Sequence, residues 1–401
     1  MTYQSYTMDE VHASSARRLF TVVSMFAGGG GSSIGYRLAG GQVLMVNEFI
    51  KEACRTYAKN FPETIVDGRD IRRINGIKVE GRHDGVTQFI AQAGLAPMDL
   101  DILDGSPPCT EFSRAGKGLA ATWIVKKHSD SRQRGAGMLF YDFLYVAKRA
   151  RPKVVIAENV PDLATSKKNS ALFGDFLEAS RYFRKPGTEN QRAYYTNWKV
   201  LNAADFGVPQ SRRRMFLVGI RRDVAETLGI FSDEDILSVF PEPTSEHVSV
   251  RQALEDLDQP VREMQTWRRS MMTSSQYRDV LMLPRNPHKL IRLRHVGIED
   301  RNWNLIRSSW DLPAPTLTCS GQKPSGGLGG VIHPEADRKF TLSELKRLFG
   351  LPDDYMVTGT LGQAAERIGN MVAPFVTKVI AESVYEKILR PYSQRHRSLA
   401  A

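Results

Sequence analysis

The sequence predicts an α/β protein: a doubly wound sheet of mostly parallel strands, joined by a second, smaller and irregular unit. Three observations carry this prediction. Apolar, β-branched runs of strand length alternate with helical patterns along the first half of the chain, as buried parallel strands and their crossover helices do. The first of these runs, Leu19 to Phe26, leads straight into Ala27-Gly28-Gly29-Gly30-Gly31-Ser32-Ser33 and then a helical pattern from Ile34 to Ala39. Strand, glycine loop and helix in that order form the βα turn of a dinucleotide-type sheet. Late in the chain the charge divides. Asp223 to Glu263 holds eleven acidic and two basic residues, Arg268 to Arg307 nine basic and three acidic, with poor periodicity throughout. That is the signature of a separate small unit with one face turned to a polyanion.

The elements follow in order. Glycines let the backbone approach a ligand, and a helix N-terminus favours a negative group. By itself the loop fits NAD, FAD, S-adenosylmethionine or a plain tight turn. Gln42 to Val46 is a second strand, closed by Asn47-Glu48-Phe49; an acidic residue about 20 positions past such a loop commonly binds ribose hydroxyls, and it also suits a helix start. Lys51 to Asn60 is a helix. Ile65-Val66 is a third strand leading to Asp70 and Ile71. Asp101 to Gly105 is a buried strand stopped by Pro107-Pro108, since proline cannot donate to a sheet ladder. Met138 to Ala150 is a helix, and Pro152 to Ala157 a strand ending at Glu158-Asn159-Val160. The segment Trp198 to Leu201 and the strand Met215 to Ile220 flank Phe206 to Arg214, a run in which alternation puts Gln210, Arg212 and Arg214 on one face. Thr341 to Phe349 is a capped helix, and Phe375 to Leu389 the last.

Chemistry-bearing residues stand where strands end. Cys109 follows the two prolines on a rigid backbone, and a thiol there is a nucleophile once its proton is withdrawn. Glu158 reaches the same crevice, although taken alone it reads as a cap for the next helix. Arg114 to Gly137 is rich in Gly, Lys and Arg, without periodicity, and suits a lid that touches phosphates. The net charge of +11 points to a polyanionic partner. Cys54, Cys109 and Cys319 are too few and too far apart for a disulfide framework or a zinc site. No run is long and apolar enough to span a bilayer, and the N-terminus lacks a signal segment, so a cytoplasmic, nucleoid-associated protein is expected.

Taken together, these pieces resemble the cytosine-C5 DNA methyltransferase family from about Thr21 to Ile388. The shared motifs are Phe26-Ala27-Gly28-Gly29-Gly30-Gly31, Asn47-Glu48, Asp70-Ile71, and Pro107-Pro108-Cys109 with Phe112-Ser113. Glu158-Asn159-Val160, Gln210 to Arg214, Pro315-Thr316-Leu317-Thr318 and Gly369-Asn370-Met371-Val372 follow. The resemblance implies a Rossmann-like methyltransferase domain formed by residues 1–242 and 337–401, with residues 243–336 inserted as a target-recognition domain. It implies Cys109 as the nucleophile that adds to cytosine C6, Glu158 at N3, Arg214 at O2 and Arg212 in support. For the cofactor, S-adenosyl-L-methionine, it implies Phe26, Gly28, Gly29 and Gly30 around the methionine part and Glu48 at the ribose. Phe49 and Ile71 would sandwich the adenine and Asp70 accept from its amino group, with Pro108, Asn370 and Val372 completing the pocket.

The implied partner is double-stranded DNA with its target base flipped out, the expected state a monomer, and a cognate restriction endonuclease a candidate companion. Three positions depart from the family pattern: Ser106 stands for Gly, Thr110 for Gln, and Phe49 for the usual Trp or Asp. Methylation of tRNA on the same scaffold, an idle DNA-binding module and a nicotinamide oxidoreductase are the competing readings. Phe112-Ser113 and the basic small unit favour DNA, and the set Cys109, Glu158 and Arg214 speaks against the other two.

Overall fold

The computed structural model of the 401-residue chain describes residues 3–76, 78–79, 82–83, 85–108, 125–127, 132–134, 138–182, 192–244, 246–257, 265, 277–285, 288–297, 305–319, 321–322 and 330–400. Cys109 and most of the basic stretch 114–137 lie outside these residues.

A seven-stranded sheet organises the chain. Its strands are β1 (Thr21–Met25), β2 (Gln42–Asn47), β3 (Ile65–Asp67), β4 (Ile102–Gly105), β5 (Val154–Asn159), β6 (Tyr194–Asn202) and β7 (Arg213–Arg221), in the spatial order β6-β7-β5-β4-β1-β2-β3. The pairs β1–β2, β2–β3, β1–β4 and β4–β5 are parallel, while β7 runs antiparallel between β5 and β6. The doubly wound α/β architecture read from the sequence is therefore present.

Burial on both faces explains the unbroken apolar runs. Val22, Ile102, Val154, Ile156, Val218 and Ile220 join one core cluster, and their neighbours Val23, Leu103, Val155 and Leu217 join another across the sheet. The helices Gly31–Leu38 and Pro374–Val384 pack together on the first face, and Leu139–Ala150 covers the second. A fully buried aliphatic side chain contributes roughly 1.5–3 kcal/mol, so the sheet interior is the main stabilising mass.

Some elements differ from the sequence reading. A helix at Met8–Ser15 was not expected, although Thr7 and Glu10 make a capping box that is visible in the sequence. The helix Leu361–Asn370, capped by Thr360 and Gln363, was also missed. The last helix starts at Pro374 and the helical path runs on to Ala400, past the expected Leu389. Within the basic stretch, Val125–Lys127 and Arg132–Arg134 pair as antiparallel strands where only loop was expected. Glu158 is no helix cap: it lies in β5, and the next helix begins at Pro161 after Val160.

Farther along, β8 (Ile291–Arg292), β9 (Leu305–Arg307) and β10 (Gly330–Ile332) form a three-stranded sheet. Val280, Leu283, Ile291, Leu293, Leu305 and Ile332 make its own core, whereas Val250, Leu254, Ala314 and Leu317 belong to the main one. Arg307, fully buried, donates to the carbonyls of Val280, Leu283, His333 and Ala336 and pairs with Asp337 at 2.8 Å.

Candidate active site

Parallel strands that share one sheet deliver their carboxyl ends to one edge, and the loops there line a common crevice. At the end of β1 the chain turns sharply. Phe26, Gly28 and Gly30 have φ of +57°, +58° and +94°, left-handed values that suit glycine and strain Phe26. The turn opens the helix Gly31–Leu38. Its far side is closed by the C-terminal segment. Gly29 abuts Met371, the Tyr355 hydroxyl donates to the Gly29 carbonyl, and Gly31 lies against the Val372 carbonyl. A side chain at Gly31 would overlap that carbonyl, so the loop and the segment 371–372 approach backbone to backbone.

Glu48, just past β2, is buried with its carboxylate turned onto the loop. Oε2 accepts from the Gly28 N–H at 2.7 Å and Oε1 from the Ile50 N–H at 2.6 Å. Burial raises its pKa, while these N–H bonds oppose the rise. Phe49 is half-buried and Ile71 buried, at the start of the helix Ile71–Gly76. Asp70 is held by its neighbour: the Arg72 guanidinium bonds Oδ1 at 3.0 Å and Oδ2 at 2.6 Å. Partial burial pushes that carboxyl up, but the Arg72 bonds and charge outweigh it and leave the pKa below its usual value. Asn47 ties the two strand ends together, donating to the carbonyls of Asp67 and Arg69.

At β4 and β5 the second half of the crevice forms. Pro107 is buried and Pro108 half-buried, directly before Cys109. Asn159 at the end of β5 donates to the Pro107 carbonyl at 3.2 Å, so β5 grips the turn that carries the cysteine. Glu158 pairs with Arg214, Nε to Oε1 3.1 Å, both side chains less than a fifth exposed. This meeting follows from strand direction. β7 is antiparallel to β5 with Phe216 opposite Glu158, so it begins at the edge where β5 ends, and Arg214 is its second residue.

The alternation read from the sequence holds. Gln210 and Arg212 are buried, Ser211 and Arg213 exposed, and Arg214 lies between. Arg212 reaches towards the C-terminal half of the chain. Its guanidinium donates to the carbonyls of Leu317, Gly369 and Met371 at 3.0–3.2 Å and lies over the Phe349 ring. Gln210 donates to Leu348 O and accepts from the Leu317 N–H. These two side chains clasp the segments 314–317 and 369–371 to the sheet. Asn370 itself is exposed, and Val372 is buried beside the loop.

Sequence reasoning overlooked Asp104. It lies on β4 and accepts hydrogen bonds from Ser24, Ser32 and Tyr36. A carboxylate inside an otherwise apolar strand was the available signal.

A sheet of this order, with a glycine turn at β1 and a carboxylate–arginine pair beside a gripped Pro-Pro turn, defines a doubly wound enzyme of the cofactor-binding type. A model of the C-5 cytosine-specific DNA methylase family matches residues 20–386. The Type II methyltransferase M.Eco47II of Escherichia coli is 29% identical over 399 residues, covering 95% of this chain and 82% of that protein. M.HhaI of Haemophilus parahaemolyticus, also a Type II methyltransferase, is 29% identical over 371 residues, covering 92% and 96%. Among solved structures, the Dnmt2 methyltransferase of S. pombe superposes with a TM-score of 0.57 at 17% identity, covering 93% of this chain and 99% of that one. The chain belongs to the C-5 cytosine-specific DNA methylase family and is a DNA cytosine-5 methyltransferase.

Proposed function

We propose that the protein methylates C5 of a flipped-out cytosine in a specific duplex DNA sequence, through a covalent bond between Cys109 and C6, with S-adenosyl-L-methionine as the donor. The observation that carries the reading is the Glu158–Arg214 pair set beside the Asn159 grip on Pro107, two positions before Cys109 in the sequence.

The glycine loop suits the cofactor. Glu48 is buried at its rim, and a carboxylate with two backbone N–H bonds still has acceptor sites for ribose hydroxyls. Phe26, Gly28, Gly29 and Gly30 would surround the methionine part. Phe49 and Ile71 would flank the adenine, Asp70 would accept from its amino group, and Pro108, Asn370 and Val372 would close the pocket. When bound, S-adenosylmethionine supplies an electrophilic methyl group.

The chain's own residues do the rest. The Cys109 thiolate forms a bond to C6, and the C5=C6 electron pair moves towards C4 and N3. Glu158 gives N3 a proton as negative charge develops there, and Arg214 holds O2. C5, now nucleophilic, would take the methyl group as the donor's sulfur–methyl bond breaks and its electron pair stays on sulfur, leaving the neutral thioether. The C5 proton then leaves to water, its electron pair restores C5=C6, the Cys109 thiolate departs and N3 returns its proton to Glu158. Flipping the base costs a few kcal/mol, and the basic stretch 114–137 would close over the opened duplex. Residues 243–336 would read the target sequence. A single chain would suffice, with a restriction endonuclease of the same specificity as companion, as the Type II names of the relatives suggest.

A duplex carrying 5-fluorocytosine at the target tests this. Fluorine cannot leave as a cation, so an adduct between Cys109 and C6 should survive denaturation, and Cys109→Ser should form none. Turnover without trapping, or equal trapping by the variant, would refute the role of Cys109. The same labelled-methyl assay on tRNA and on duplex DNA decides between the two substrates.

A further inference from the structure

Asp104 has no part in the chemistry above, yet it occupies the centre of the site's foundation. It lies on β4, three residues before Pro107, and is 3% exposed. Ser24 on β1 is its partner in the sheet register. Oδ2 accepts from Ser24 Oγ at 2.6 Å and from Ser32 Oγ at 2.9 Å, and Oδ1 accepts from the Tyr36 hydroxyl at 3.0 Å. One side chain thus ties the strand before the glycine turn to the helix after it. Between these anchors lie Phe26, Gly28 and Gly30, all left-handed. Its three partners are neutral hydroxyls. A buried charge is tolerated only when its hydrogen-bonding capacity is met, so the triad of donors is what keeps this carboxylate in place. Burial pushes its pKa up to about 6, against the pull of the three hydroxyls, and Glu158 adds to the rise. The Tyr36 hydroxyl is driven far above its usual value, by burial first and then by Asp104, and stays a donor.

We propose that Asp104 is a positioning residue of the glycine loop: its ionised carboxylate draws Ser24, Ser32 and Tyr36 together, sets the loop for the methyl donor, and makes cofactor affinity fall when it is protonated. The inference rests on the reading that this loop binds S-adenosylmethionine. A protonated carboxyl must donate from one oxygen, so one of the three hydroxyls loses its acceptor and the anchor loosens. The groups that face Asp104 are Ser24 from β1, Ser32 and Tyr36 from the helix, and Glu158 from β5 with its partner Arg214. Glu48 at the loop's rim is also pushed up by burial, so the variants are compared with the wild type rather than read alone.

The test is S-adenosylmethionine affinity, measured by calorimetry on the full chain from pH 5 to 8. The wild type should bind about tenfold more weakly at pH 5 than at pH 7.5. Asp104→Asn offers one acceptor oxygen in place of two. It should bind about tenfold more weakly at pH 7.5, and its acid-side loss should be shallower by one proton. Ser24→Ala removes a donor to the carboxylate without touching the loop, so the acid-side loss should begin about one pH unit higher. A merely structural role would lower affinity equally at every pH. The proposal is overturned if Asp104→Asn keeps the wild-type proton dependence, or if Ser24→Ala weakens binding with an unmoved midpoint. If Asp104→Asn does not fold, the Ser24→Ala midpoint decides alone. Absence of binding by the wild type at every pH would overturn the cofactor reading, and this one with it.

Discussion

Replacing Arg212 by alanine separates two roles for that residue: a support of the reacting base, as the family resemblance implies, and a clasp for the C-terminal segment, as its contacts favour. The side chain is 4% exposed and its guanidinium serves Leu317 O, Gly369 O and Met371 O over the face of Phe349. Alanine leaves three carbonyls without this donor. A hydrogen bond to a charged group contributes about 1.5–3 kcal/mol. Three on one side chain are not additive, and water refills part of the space, so a loss of about 3–5 kcal/mol is expected. The assay is the urea unfolding midpoint together with cofactor affinity. Because Met371 and Val372 lie against Gly29 and Gly31, affinity should fall with stability, and Arg212→Lys should recover part of both. Stability within about 0.5 kcal/mol of wild type, unchanged affinity and a loss confined to kcat would refute the clasp and favour direct action on the base.

Three further outcomes are expected. Glu158→Gln should slow single-turnover methyl transfer by roughly 10²–10⁴-fold, the usual worth of a general acid, with duplex affinity nearly unchanged. Gly369→Ala should cost about 1–3 kcal/mol in the same unfolding assay, because the new Cβ would sit 2.6 Å from the backbone of Cys319 with no flexible side chain to yield. His333 is buried, its Nδ1 accepts from the N–H groups of Glu335 and Ala336, and burial lowers its pKa to about 4. The folded state therefore holds it neutral. The unfolded chain takes up its proton first as pH falls below about 6.5, and stability drops by about 2–3 kcal/mol between there and pH 4. His333→Gln should flatten that part of the pH–stability curve, and unfolding midpoints at pH 4.5 and 7 check it.

Much of the local structure around the candidate site is set by nearby residues and was legible in the chain. The glycine turn after β1, the Pro-Pro-Cys stop after β4 and the Glu158 strand end are each written in a few consecutive residues, because a strand's last residues and the turn beyond it are set by short-range sterics. The same holds for the common face of Gln210, Arg212 and Arg214, which needs only the two-residue repeat of an extended backbone. Thr341 and Glu344 announced their helix by a capping box, and the equivalent signal at Thr7 was there to be read.

What only the tertiary structure decided is which of these residues meet. The reversed direction of β7 brings Arg214 to Glu158, 56 positions apart in sequence, and a strand's direction is chosen by its neighbours in the sheet rather than by its own residues. Arg212, from the same alternating run, is turned to three carbonyls from segments more than a hundred residues away. Asp104 looked like one polar residue in an apolar strand; its three hydroxyl partners come from β1 and the helix beyond the loop, and they converge only when the sheet closes. The sequence by itself determined the kinds of groups and the strand ends on which they stand. Their pairings depended on non-local strand order and on helices returning from the far end of the chain, since buried polar groups must find partners wherever packing puts them.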